Sequence, residues 1–256
     1  MKFIHQVSKG SRYNQIYIPK DAEGIFEVGD TVEVRLLRKK LELFCSKSPL
    51  QLPEFKKSLI KQIFSSLSNF HEISQVFIVG SFLTEKADYN DIDLLVISKQ
   101  KSELLEKKVF SYLTEKFQLK FHILPVSQES FINLQKICPL TRSMLYYFVS
   151  NKKFHPEQEI IIDKKHIEFL LMMPEDLLKI NANSRTFYDN IRRLIAIRRF
   201  LEKKDLDSAK INQELKELLG EALYSRLKNN EAINNDMLKK LRGIIKKKII
   251  ELRKKI

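Results

Sequence analysis

Two aspartates separated by one residue, Asp91 and Asp93, stand at the head of an apolar run from Leu94 to Ile97. Residues two apart on a strand project to the same face, so the two carboxylates point together. Side by side they repel, and a divalent cation between them removes that repulsion. Hard oxygen ligands of this kind suit Mg²⁺ carrying the phosphates of a nucleotide. Upstream, a second apolar run from Val76 to Val79 ends in Gly80-Ser81. Gly80 has no Cβ and lets a phosphate approach the backbone, while Ser81 offers a hydroxyl and a main-chain N–H. Between the two motifs Thr84, Lys86 and Asn90 are polar. Lys86 suits a phosphate contact and equally suits an exposed surface.

The elements that must hold these residues follow from periodicity. From Glu54 to Leu67, the apolar positions Phe55, Leu59, Ile60, Ile63, Phe64 and Leu67 fall at helical spacing and predict a helix packed on a sheet. The two signature strands come next. A helix is expected from Ser102, as N-cap, to Lys116, then a strand from Leu119 to Leu124 closed by Pro125.

Apolar strand, Gly80-Ser81, a polar interval and Asp91-Ile92-Asp93 opening a second strand resemble the signature of the DNA polymerase β-like nucleotidyltransferase superfamily. The resemblance implies an α+β fold with a palm-like core. It also implies Mg²⁺-dependent transfer of a nucleoside monophosphate from an NTP to an RNA or protein acceptor. Gly80, Ser81 and Lys86 would then face the triphosphate, and Asp91 and Asp93 would bind one or two Mg²⁺ ions. Most relatives carry a third acid on the last strand, where this chain has His122 between Phe121 and Ile123. Three readings stand side by side: His122 as the general base, since an imidazole titrates near neutral pH; a packed histidine without a catalytic role; or a domain that binds without turning over.

The chain has 256 residues, enough for two or three small domains, and a formal net charge of +14, which favours a polyanionic partner. A lysine-rich composition of AT-rich origin explains the same charge. The two cysteines, Cys45 and Cys138, have no CxxC spacing and exclude a disulfide framework or a zinc-finger type of site. No apolar run reaches membrane-spanning length, and the N-terminal MKFIHQVSKG has no signal-peptide core, so a soluble, cytoplasmic protein is expected.

Residues 1–46 read as short strands with turn signals, including Gln15 to Ile18, Thr31 to Leu37 and Leu41 to Cys45. Val7-Ser8-Lys9-Gly10, Ile16-x-Ile18-Pro19 and Val28-Gly29-Asp30-x-Val32 look like the AbrB/SpoVT swapped-hairpin domains. That resemblance implies a homodimer and, through Lys9, Arg12, Lys20, Arg35 and Arg38, a capacity to bind DNA. Ser46 to Pro53 is the expected linker, 54–126 the transferase core and 127–256 an α-helical domain.

In that last part Pro139 to Val149, a helix capped by Asp163 and interrupted by Pro174, and a long helix capped by Ser184 are expected. Two more follow, over Leu215 to Leu227 and from Ile233 onward. The long helix has a core stripe of Phe187, Ile191, Leu194, Ile195, Ile197 and Phe200. Its other face carries Arg185, Arg192, Arg193, Arg198 and Arg199. These arginines, with Lys246, Lys247 and Lys248 in the final segment, form a candidate cradle for RNA or DNA; a solvated helix face accounts for them as well. The Arg-then-His spacing of helical HEPN ribonucleases, frequent companions of small nucleotidyltransferases, is absent here. Other classes stay open beside an RNA-directed transferase. They are a DNA-binding regulator with a degenerate core, a toxin–antitoxin component that attaches AMP to a partner protein, and a non-catalytic RNA-binding scaffold.

Overall fold

The computed structural model describes residues 4–18, 24–27, 29–35, 41–46, 52–84, 89–100 and 103–256. The chain divides into two compact units, Met1–Lys40 and Leu41–Ile256. In the first, Ser8–Lys9 (β1) pairs antiparallel with Asn14–Gln15 (β2), and the Gly10 N–H donates to Tyr13 O at 3.0 Å to close the turn. The strand expected from Thr31 does not form over residues 31–35, where Val32 and Val34 stay exposed. None of the described residues in 4–35 is buried. Pro19, Lys20, Val28, Leu36, Leu37 and Arg38 lie outside the described residues.

The second unit is built on a sheet whose described strands are ordered Phe44–Cys45 (β3), Val149–Ser150 (β7), Ile73–Val79 (β4), Ile92–Ser98 (β5) and Phe121–Ser127 (β6). Phe44–Cys45, expected among the N-terminal hairpins, pairs instead with Val149–Ser150, which in turn pairs with Phe77 and Ile78 of β4. These two-residue strands are too short to show periodicity in the sequence. β4 and β5 run antiparallel, β5 and β6 parallel. Both central strands are apolar on both faces because both faces are covered. Val76, Ile78, Leu94 and Val96 pack on Glu54–Leu67 (α1) and Glu103–Phe117 (α2). Phe77, Val79, Leu95 and Ile97 pack on Phe131, Leu145 and Phe148. β6 extends to Ser127, through Pro125 rather than ending before it. It is an edge strand, where a missing N–H costs no ladder bond. Ser102, the expected cap of α2, lies outside the described residues.

The helices that follow are Gln128–Ile137 (α3), Pro139–Met144 (α4), Lys164–Asp176 (α5), Ser184–Leu201 (α6), Ser208–Leu219 (α7), Glu221–Lys228 (α8) and Asn235–Arg253 (α9). Asp163 caps α5 as expected, its Oδ1 accepting the His166 N–H at 3.0 Å; Pro174 lies inside the helix, which runs on to Asp176. The cap of α6 is Asn183 rather than Ser184, since Asn183 Oδ1 accepts the Thr186 N–H at 2.9 Å. Gly220, at φ +78°, divides the helix expected over Leu215 to Leu227 into α7 and α8. The α6 stripe from Phe187 to Phe200 is buried, with α4, α5, α7, α8 and α9 packed around it. Among the described residues no helix is long and apolar enough to cross a membrane.

Candidate active site

The register of the three strands assembles the site. Val79 lies opposite Asp93, and Asp93 lies opposite His122. By strand alternation Asp93 shares a face with Leu95 and Ile97, and His122 shares it with Leu124 and Val126. That face is apolar and covered along its length. At its end the apolar cover stops, and the two polar side chains take over. His122 Nδ1 lies 3.0 Å from Asp93 Oδ1, with side-chain exposures of 60% and 26%. The histidine is therefore open to solvent and is not a packed core residue. With Asp93 ionised, Nδ1–H donates to the carboxylate and Nε2 is left as an acceptor.

Gly80 closes the other side of Asp93. It adopts φ +78° at the start of a 3₁₀ turn, Gly80–Leu83, and a Cβ placed there would collide with Asp93 Oδ2. The sequence suggests glycine for the approach of a phosphate; in the folded chain the space a side chain would need is taken by the Asp93 carboxylate. Ser81 is exposed, and its carbonyl accepts the Thr84 N–H at 3.1 Å and the Thr84 hydroxyl at 2.8 Å. Lys86 lies outside the described residues.

Beneath this turn is a residue that the pattern of the sequence hides. Lys56, in the first turn of α1, is fully buried, while Phe55 beside it is 52% exposed. Its ammonium donates to Phe82 O and to Thr84 O, each at 2.8 Å, and sits 5.0 Å from the centre of the Phe82 ring. Phe82 meets Tyr89 edge-on, with ring centres 4.8 Å apart, where the chain returns toward Asp91. Lys56 thus ties α1 to the turn that carries Gly80 and Ser81. Burial pushes its pKa down.

Burial also raises the Asp93 pKa. The hydrogen bond from His122 opposes that rise, and the nearby charge of Asp91 adds to it. Two carboxylates that repel each other in a half-covered site form a pair suited to a cation. Among the described residues, no group of three or more His, Cys, Asp and Glu side chains converges on a metal-sized site. Among the described residues the candidate donor set is the aspartate pair. It fits Mg²⁺, which commonly takes one or two protein carboxylates and fills its octahedron with water and substrate phosphates.

The arginine face of α6, read from the sequence as a cradle for a polyanion, is engaged within the bundle. Arg192 donates to Asn212 Oδ1 and Ser208 Oγ, both at 3.1 Å, and Arg198 and Arg199 both pair with Glu214. Arg199 is buried, and burial lowers the pKa of Arg193. Lys248 pairs with Glu251 at 2.9 Å, whereas Lys246 and Lys247 are exposed.

Two outcomes follow from these contacts. Lys56→Met leaves two carbonyls of the turn without that donor and should lower the unfolding free energy by about 1–3 kcal/mol, read from urea denaturation. A carboxylate whose pKa is raised in the folded chain stabilises it most below the ordinary carboxylate range and loses that contribution as pH rises through the raised value. Asp93→Asn, which does not ionise, should therefore raise the denaturation midpoint near neutral pH in chelator-treated protein. The gain should shrink below about pH 4, the ordinary range of an aspartate; an unchanged or lowered midpoint at neutral pH contradicts it.

The chain matches no curated protein. Residues 57–153, from the first turn of α1 through β7, match the family model of the nucleotidyltransferase domain. The segment that holds the Gly80-Ser81 turn, the Asp91/Asp93 pair and His122 is thus similar to that domain, which supports placing the chain's core in the nucleotidyltransferase superfamily and reading it as a transferase.

Proposed function

We propose that this core transfers a nucleoside monophosphate from an NTP to an acceptor hydroxyl on RNA or protein, with Mg²⁺ as cofactor. The observation that carries the reading is the register that sets Asp93 between Gly80 and His122 at the uncovered end of the sheet. Asp91 and Asp93 would hold one or two ions. When bound, Mg²⁺ neutralises charge on the phosphates and aligns the attacking and leaving oxygens.

The protein groups divide the remaining work. Gly80 and Ser81 present backbone and hydroxyl to the triphosphate, on a turn held by Lys56. Asp93 holds the His122 ring so that Nε2 accepts the proton of the acceptor hydroxyl as its oxygen bonds to the α-phosphorus. The bond from the α-phosphorus to the bridging oxygen breaks, and pyrophosphate leaves. An imidazole in this role replaces the acid that relatives carry, and general-base assistance contributes about 10²–10⁴-fold.

The test is labelling by α-labelled NTPs with Mg²⁺ and either total RNA or a cell extract depleted of nucleic acid. Wild type should label an acceptor, Asp91→Ala/Asp93→Ala should not, and His122→Gln should slow labelling by about 10²–10⁴-fold. Label on protein in place of RNA selects the protein acceptor. Wild type that labels nothing beyond the double variant rejects the transferase.

The first unit we assign to self-association, on its resemblance to swapped-hairpin domains. In support, Val32, Val34, Ile16 and Ile18 are exposed and no described residue of 4–35 is buried, so the described residues offer apolar surface that a second copy would cover. Light scattering of the full chain should give a dimer, and Val32→Asp/Val34→Asp a monomer; a wild-type monomer at micromolar concentration overturns the assignment.

A further inference from the structure

Within α9 and its C-terminal cap, adjacent cations recur every seven residues, at Lys239-Lys240, Lys246-Lys247 and Arg253-Lys254, with Arg242, Lys248 and Lys255 outside that repeat. Seven residues make almost two helical turns, so the pairs stack along one side at intervals of about 10.5 Å. The opposite side, Leu241, Ile245, Ile249 and Leu252, is buried in the bundle. Several cations of the bundle are neutralised: Lys248 pairs with Glu251, Lys255 with Glu202, Arg198 and Arg199 with Glu214, and, at the end of the row itself, Arg253 with Glu168 and Glu175. Lys239, Lys240, Lys246, Lys247 and Lys254 are all exposed, and among the described residues none has a carboxylate within ion-pair distance. Two acids accompany this side: Asp236 in the first turn, where the helix dipole suits it, and Glu251, which is engaged by Lys248 at 2.9 Å. Between the lysine pairs lie Gly243, with open space where a Cβ would stand, and Ile250. Together with Lys246, Lys247, Lys254 and Glu251 they border a shallow, open depression in which three lysines outnumber one carboxylate.

We infer that this face of α9 binds the phosphodiester backbone of RNA, and so names RNA rather than protein as the acceptor of the proposed transfer. A lysine is a point charge on a flexible stem and suits a phosphate without fixing its geometry. A membrane-surface helix buries its apolar face in lipid, but here that face is packed inside the bundle. No aromatic residue lies on the outward side, so the contact is with the backbone and is independent of base sequence. The acceptor role rests on the transferase reading; the binding does not.

The experiment measures anisotropy of a labelled RNA 20-mer, single-stranded and duplex, with the full chain in Asp91→Ala/Asp93→Ala background and no nucleotide, over a salt series. Binding is expected whether or not the parent chain transfers nucleotides. Lys239→Gln/Lys240→Gln/Lys246→Gln/Lys247→Gln should lose at least about tenfold in affinity near 0.1 M salt, with the salt slope falling by about two or more. Lys61→Gln/Lys107→Gln/Lys108→Gln/Lys153→Gln removes the same charge from other exposed positions and should leave the slope unchanged. Equal losses in both variants, or binding of phosphatidylserine vesicles without binding of RNA, overturn the inference. A denaturation midpoint shared by both variants guards against a folding artefact.

Discussion

The carboxylate of Asp93 is confined on two sides, and much of the core is arranged around that confinement. One oxygen receives His122 and the other fills the space that a Cβ on Gly80 would need. Each neighbour makes its own demand. Gly80 must hold a positive φ, which its turn supplies, and the turn is held through its carbonyls by a buried lysine. His122 must come from a strand parallel to β5 and in a register that leaves no slip, since a shift of one residue would turn the imidazole into the α1/α2 layer. The apolar residues that alternate with Asp93 and His122 fix that register by packing.

The sheet also accounts for how such charge is tolerated. Leu95, Ile97, Leu124 and Val126 carry the same face as Asp93 and His122 but lie under cover, so desolvation falls off along the strands toward the site. At the uncovered end the carboxylate is partly desolvated, enough to raise its pKa, while the imidazole beside it remains in water. A pair so placed is poised for a cation without being buried at prohibitive cost.

The residues that read most clearly from the sequence are those whose meaning is local. Asp91 and Asp93 two apart, Gly80 at the end of an apolar run and His122 between two apolar neighbours are all short-range patterns, and each falls at this site. Lys56 does not read that way, because a lysine in an amphipathic helix is assigned to solvent by default. The signal was present: positions 56, 60, 63, 64 and 67 form one helical stripe, and Phe55 lies off it. The contacts of the α6 arginines do not read from the sequence for a different reason: the partner of Arg198 and Arg199, Glu214, comes from another helix whose position the sequence does not disclose. The strands β3 and β7, two residues each, leave no periodic trace at all.

Charge distribution separates the molecule's two polar surfaces. The net charge of +14 is not spread evenly, because the bundle cancels much of its own positive charge through Glu202, Glu214, Glu168 and Glu175. What is left uncancelled in the bundle includes a row on α9, while Asp91 and Asp93 concentrate negative charge at the end of the sheet. A phosphate chain drawn to the first is repelled by the second until a cation neutralises the aspartate pair. On the proposed reading, the same two carboxylates that would hold Mg²⁺ would repel a polyanion in its absence, so that metal and substrate charge would be coupled through Coulomb's law.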